Sequence, residues 1–187
     1  EPPTMTGASI SVAPGEEATT LGLRELASDP DPGDMEKLTF SLASDAPSGV
    51  NASIDGQTLQ VSAQPDVDKG TRFSLTVRVT DGETDPVEAN IQVTVTASTR
   101  ELPSVNDDVV KQADQGETVS VNALNNDVNP FPEKALQIVN TQIETGDVTS
   151  VRVSGPNVNV TTSKEFVGNV VVRYTVQDAT GDADRRV

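Results

Sequence analysis

Cysteine, histidine and tryptophan are all absent from this chain of 187 residues. Without cysteine there is no disulfide and no thiolate metal site. Without histidine, the commonest general base and the commonest zinc ligand are gone. One tyrosine and four phenylalanines are the only aromatic residues, so any core must be built from Val, Leu and Ile. No apolar run approaches the ~18 residues of a membrane-spanning helix. Positive charge is scarce as well: 13 Lys and Arg against 29 Asp and Glu leave a net charge of −16. Such a field repels nucleic acid and anionic membrane surfaces, and favours cations and solubility. There is no Gly-x-Ser-x-Gly elbow and no phosphate-cradling glycine loop. The many carboxylates invite glycoside chemistry, but that needs a concave, water-excluding pocket which a small aromatic-poor fold rarely offers. The chain therefore reads as no enzyme. It opens on Glu1-Pro-Pro3 with no leader segment, and we expect a piece cut from a longer protein.

What is present is a repeat. Phe73-Ser-Leu-Thr-Val-Arg-Val-Thr-Asp81 returns in pattern as Val170-Val-Val-Arg-Tyr-Thr-Val-Gln-Asp178. Leu38-Thr-Phe40 returns as Leu136-Gln-Ile138, Asp29-Pro-Asp-Pro32 as Asp127-Val-Asn-Pro130, and Gly15-Glu16 as Gly116-Glu117. Four landmarks in one order at nearly constant spacing mean a module used twice. We place the modules at residues 1–102 and 103–187, with the boundary in Ala97–Asp107, where Pro103 breaks strand continuity.

Within each module the apolar residues alternate. Phe73, Leu75, Val77 and Val79 face one way, and Ser74, Thr76, Arg78 and Thr80 the other. Ile91, Val93 and Val95 continue the pattern after the Asp81–Pro86 turn. Ile54–Val61 reads as a hairpin around Asp55-Gly56. The second module offers Val119 and Val121, Leu136 and Ile138, Val148 to Val153, Val158 and Val160, and the long strand Val170–Val176. Leu21–Ala27 is the one short helix candidate. About seven short strands per module indicate an all-β fold of two tandem Ig-like or cadherin-like antiparallel sandwiches with Greek-key connections. After Gly181 too few residues remain for a full last strand, so the second sandwich is expected to lack part of it.

The candidate chemistry lies in the acids. Asp29, Asp31 and Asp34 fall within six residues of one another, and a tight turn with acids at alternate positions can offer several oxygens to calcium, a hard ion that takes six to eight. Asp66, Asp68 and Asp81 would complete a shell if the fold gathers them at the same pole. The alternative is a plain polar turn, since Asp, Pro and Gly are each favoured there. The matching loop of the second module, Asp127–Glu133, carries fewer acids, so a site there would be weaker or lost. Tyr174, inside a valine strand, is expected to pack in the core with a partner for its hydroxyl. Phe131, between two prolines, is the one ring expected at the surface.

Asp66–Gly82 followed by Ile91–Val95 resembles the last strands of a cadherin-type repeat. Ala27–Leu42 resembles the opening of bacterial cadherin-like and dystroglycan-type Ig-like domains. Val105-Asn-Asp-Asp108, Leu124-Asn-Asn-Asp127 and Tyr174–Asp178 are similar to Ig-like repeats of very large bacterial surface proteins. The family's acidic joint is shortened here to Val105-Asn-Asp-Asp108, and Asp66 is followed by Val67-Asp68-Lys69. The resemblance implies a secreted or surface-displayed bacterial protein whose modules act as a stalk or adhesin, with calcium near the joints. Its partners would be adjacent modules of the same chain and another surface protein or a glycan, with the fragment itself monomeric. The alternative is an accessory or carbohydrate-binding module of a secreted enzyme, for which Phe131 would be the exposed platform.

Overall fold

The computed structural model describes residues 1–187 and divides into two compact units, Glu1–Ser98 and Thr99–Val187. Both are built from strands, and the helical content is three single 3₁₀ turns. No helix is long and apolar enough to cross a membrane.

The first unit contains β1 (Thr4–Met5), β2 (Ala8–Val12), β3 (Thr19–Gly22), β4 (Ala27–Ser28), β5 (Thr39–Leu42), β6 (Val50–Asp55), β7 (Thr58–Ala63), β8 (Arg72–Thr80) and β9 (Val87–Val95). One sheet has the order β2-β9-β8-β5, the other β3-β7-β6, and β1 pairs with β4 alone. Every pairing is antiparallel except β2 with β9, which runs parallel from Ala8↔Ile91 to Val12↔Val95. Leu75, Val77, Ile91, Val93 and Val95 from the first sheet and Leu59 and Val61 from the second are fully buried against each other and Leu23. The period-2 alternation thus defines the core face, as a half-buried strand requires. Outward, Arg78 pairs with Glu88 at 2.7 Å and Thr76 donates to Asn90 at 3.1 Å, a solvated face. The hairpin β6–β7 turns on Gly56-Gln57, with Gly56 at φ 58°, the positive φ that a tight two-residue hairpin needs. Leu21–Ala27 is not a helix of any length: Leu21 belongs to β3, and a single 3₁₀ turn covers Arg24–Leu26. A smaller apolar cluster of Ala27, Leu38 and Val79, with Met5, Met35, Phe40 and Val87 against it, closes one end of the sandwich.

The second unit contains β10 (Thr118–Asn122), β11 (Gln137–Thr145), β12 (Val148–Ser154), β13 (Asn157–Thr162) and β14 (Val171–Gln177). Here the sheets are β10-β13-β12 and β11-β14, all antiparallel, with β-bulges in β11 and β12. After β14 the chain makes a 3₁₀ turn at Ala183–Arg185, and Val187 then exchanges both main-chain hydrogen bonds with Val176.

Phe131 corrects the expectation of an exposed ring. It is 0% exposed, the largest fully buried side chain of the molecule. The Arg100 guanidinium lies 4.5 Å from its ring centroid and that of Arg185 5.7 Å. Arg185 is itself buried, donating to Asp178 Oδ2 at 2.7 Å and to the carbonyls of Arg100 and Glu101 at 2.9 and 2.6 Å. Two cations stack on this ring and cover it, which the flanking prolines gave no hint of. With Phe131 inside, the chain has lost the ring on which the glycan-platform reading rested.

Candidate metal centre

The loop after β4 is shaped by its own sequence. Pro30 and Pro32 fix φ and donate no hydrogen bond, so Asp29 Oδ1 accepts from the Asp31 amide at 2.9 Å and makes the turn. Gly33, at φ 91°, reverses the chain into the 3₁₀ turn Asp34–Glu36. The Asp34 amide donates to Asp31 O at 3.2 Å. Met35 anchors the loop: its side chain packs on the Ala27–Leu38–Val79 cluster, its sulfur accepts from the Asp29 amide at 3.2 Å, and its carbonyl accepts from Arg24.

This geometry gathers Asp29, Asp31 and Asp34, with one carboxylate oxygen from each lying within 4.8 Å of the others. Calcium–oxygen distances near 2.5 Å allow two ligands of one ion to lie up to about 5 Å apart, so the three carboxylates fit one ion. Asp34 is buried. Asp29 is half-buried as a residue, and its Oδ2 atom is buried without any hydrogen-bond partner. An unsatisfied buried carboxylate oxygen is costly, and a hard cation is the ligand that would satisfy it. An ammonium group also meets the cluster: Lys37 Nζ lies 2.8 Å from Asp34. Lys37 also reaches Glu83 at 3.0 Å, and these two carboxylates, Asp34 first, hold its pKa well above the ordinary lysine value.

The other three predicted ligands are placed differently. Asp81 follows β8 at the same end of the sheet, where Thr39 pairs with Thr80. Its carboxylate is committed to its own turn: Oδ1 accepts from the amides of Thr84 and Glu83, both at 2.8 Å, and Oδ2 from the Thr84 hydroxyl at 2.9 Å. The Thr84 and Glu83 amides hold its pKa below the usual aspartate value. Asp66 and Asp68 are exposed in the loop before β8, and the nine residues of β8, at about 3.3 Å each, separate that loop from the Asp29 end. The expected gathering of all six acids at one pole therefore does not occur; the structure assembles the three of the Asp29 loop.

The second unit repeats the fold of this loop with different chemistry. The sequence repeat sets Asp127 against Asp29, but in the structure Asp127 precedes the Ser104↔Val128 bridge, whereas Asp29 follows the matching Thr4↔Ser28 pair; its Oδ1 accepts from the Asn106 amide at 2.9 Å and its Oδ2 is buried without a partner. Burial, and then the charge of Asp108, push its pKa up. Asn129 stands in the place of Asp29 and Phe131 in that of Asp31: Asn129 accepts from the Phe131 amide at 2.9 Å, as Asp29 does from Asp31, and donates to Lys134 O at 2.6 Å. Tyr174 is half-buried, its hydroxyl 2.9 Å from Ala123 O, 3.0 Å from Asn106 O and 3.2 Å from Asp108 Oδ2. Burial, followed by the charges of Asp127 and Asp108, raises its pKa. Sequence reasoning missed Arg185 and Asp178 entirely; an Arg seven residues beyond a strand-end Asp was the available signal.

The profile of the bacterial Ig domain matches residues 1–94 and again 100–187. The chain belongs to that family. Among solved structures, this tandem Ig chain is similar to the Drosophila N-cadherin EC1-3 fragment, at 13% identity over 98% of this chain and 62% of that one, with a TM-score of 0.45. It is also similar to the human desmocollin-1 ectodomain, at 14% identity over 95% of this chain and 34% of that one, with a TM-score of 0.40. A third similar structure is the endo-fucoidan hydrolase MfFcnA4 in its H294Q form, at 16% identity over 94% of this chain and 26% of that one, with a TM-score of 0.45. The tandem Ig chain thus spans about a third of the desmocollin ectodomain that it matches. No curated protein matches it.

Proposed function

We propose that the tandem Ig chain is a non-catalytic, extracellular stalk or adhesive spacer of a large bacterial surface protein, with calcium stiffening the Asp29 end of its first unit. The observation that carries the stalk reading is the parallel pairing of β2 with β9. β2 is near the entry of the unit and β9 at its exit, so tension applied through the two ends pulls these strands in opposite directions along their shared ladder. Five residue pairs are then loaded in shear and yield together. Pulling single tandem chains by their ends tests this. Ile10→Pro, which removes a main-chain donor from the β2 segment, is expected to lower the unfolding force of the first unit and leave that of the second unchanged. Equal forces in the two chains would refute the stalk mechanism.

The calcium reading is supported by the orphaned Asp29 Oδ2 beside Asp31 and Asp34. Binding neutralises clustered carboxylates and couples loop order to ion concentration. A thermal melt in EDTA and then in millimolar calcium tests it. A ligand at 100 times its dissociation constant stabilises by about 2.7 kcal/mol, and the gain is expected to vanish in Asp31→Ala. An unchanged melt would reduce the loop to a polar turn and leave a passive spacer.

A further inference from the structure

The chain carries two sulfur atoms, those of Met5 and Met35. Both side chains pack on the small apolar cluster of Ala27, Leu38 and Val79 at one end of the first sandwich. Met35 does more than fill space there. Its Sδ accepts from the Asp29 amide at 3.2 Å, its carbonyl accepts from the Arg24 guanidinium, and it is the middle residue of the 3₁₀ turn Asp34–Glu36. One residue thus ties the acidic loop at both ends: the sulfur holds the main chain of Asp29, and the backbone of Met35 continues that of Asp34.

That tie is chemically vulnerable. A main-chain donor away from water needs an acceptor, and the one that Asp29 uses is a thioether, a weak acceptor. Met35 is half-buried, which leaves it open to a small oxidant. Hydrogen peroxide transfers one oxygen atom to a thioether: the sulfur loses two electrons and becomes a sulfoxide, and the peroxide leaves as water. The product is polar, yet its side chain is seated on an apolar cluster. Either the new oxygen enters the 3.2 Å contact and pushes the Asp29 amide away, or the side chain swings out toward water and takes the anchor with it. Both courses move Asp29 relative to Asp31 and Asp34, whose carboxylate oxygens lie within 4.8 Å of its own.

We infer that Met35 is an oxidation-sensitive anchor of the acidic loop, and that its conversion to the sulfoxide by a peroxide weakens the hold of Asp29, Asp31 and Asp34 on calcium. The regulation rests on the calcium reading of this loop; the anchoring does not. Position makes the effect specific to one sulfur. Met5 sits on β1, paired with Ala27 and outside the loop, and the second unit contains no sulfur. Oxidation of Met5 therefore leaves the Asp29 contact in place. Methionine sulfoxide is returned to the thioether by dedicated reductases, so the change is reversible.

The test uses the full chain in two forms. Met5→Leu leaves Met35 as the remaining thioether, and Met5→Leu with Met35→Leu removes both by replacements of nearly conserved volume. Each is treated with hydrogen peroxide, and mass analysis confirms the gain of one oxygen at Met35. Calcium affinity is read by calorimetric titration, and hydrogen exchange of the Asp29 amide is read in EDTA. In the first chain, oxidation is expected to weaken calcium binding roughly tenfold, the scale of one lost hydrogen bond, and to speed Asp29 exchange. The double-leucine chain is expected to change in neither. Equal calcium affinity before and after oxidation of Met35 would overturn the inference. So would unchanged Asp29 exchange, or a Met35 that resists peroxide until the chain is unfolded. A reduced chain that binds no calcium would defeat the calcium reading and the regulation with it, while faster Asp29 exchange on oxidation would still establish the anchor.

Discussion

Asp29 and Asp127, one in each repeat, both hold their Oδ2 oxygen buried without a hydrogen-bond partner. What surrounds them differs. Asp29 has Asp31 and Asp34 within ligand distance; Asp127 has Asn129, whose side chain is already spent on Phe131 and Lys134. Two equal orphan atoms in unequal company make a controlled comparison. We expect Asp29→Asn to abolish calcium-dependent stabilisation and Asp127→Asn to leave it intact. Calorimetric titration of both variants checks this, and loss of binding in Asp127→Asn would move the site to the second unit.

Asp127 also makes a pH prediction of definite sign. Its pKa is raised in the folded chain by burial and then by Asp108, so the folded state holds the proton to higher pH than the unfolded state does. Between the ordinary aspartate value and the raised one, the folded state binds more protons, and stability falls as pH rises. Above that window the cost is complete and constant. Asp127→Asn should therefore stabilise the second unit at neutral pH, shifting its melt upward by roughly 2–5 °C, and lose that advantage in acid. An Asp127 titration midpoint at or below the ordinary value, read by NMR, would contradict this.

The Arg185–Asp178 pair predicts a large effect far from any ligand. Asp178 is 0% and Arg185 9% exposed in their side chains, so removing one partner strands a charge in the interior. Asp178→Ala is expected to cost about 3–5 kcal/mol, nearly independent of salt because the pair is out of reach of screening ions. Phe131→Ala, which empties the space beneath the two arginines, should cost a similar ~3–5 kcal/mol. Glu88→Ala is the internal reference: its pair with Arg78 is half-exposed on both sides, and its loss should barely move the melt. Chemical denaturation of the three variants at two salt concentrations separates these outcomes.

These variants also show where the sequence was readable. β8 and β14 were legible because their apolar residues alternate over seven to nine positions, and a period of two cannot be mistaken for a helix over that length. The Asp29 cluster was legible because its three acids sit in one loop, where local turn chemistry alone brings them together. Asp66 and Asp68 were misplaced because their distance from that loop depends on the direction in which β8 runs, a tertiary fact. Phe131 was misread for the same reason: its prolines mark a loop correctly, but its cover comes from Arg100 and Arg185, 31 residues before it and 54 after. Composition identifies Phe131 as a rare ring and says nothing of which cations lie over it.

Lys37 offers the last test, because it is a positive charge seated on the candidate site. Its ammonium bridges Asp34 at 2.8 Å and Glu83 at 3.0 Å, and its raised pKa keeps it charged throughout the neutral range. An ion entering between Asp29, Asp31 and Asp34 must do so against that charge or displace it. One unit charge at about 4 Å in water is worth ~1 kcal/mol, so Lys37→Gln should tighten calcium binding roughly fivefold at low salt, with the gain shrinking as ionic strength rises. The sign is what matters. Tighter binding identifies Lys37 as a competitor that tunes the site to ion concentration. Weaker binding would mean that Lys37 holds Asp34 in its ligating position, and that the Asp34–Lys37–Glu83 bridge belongs to the site's own framework.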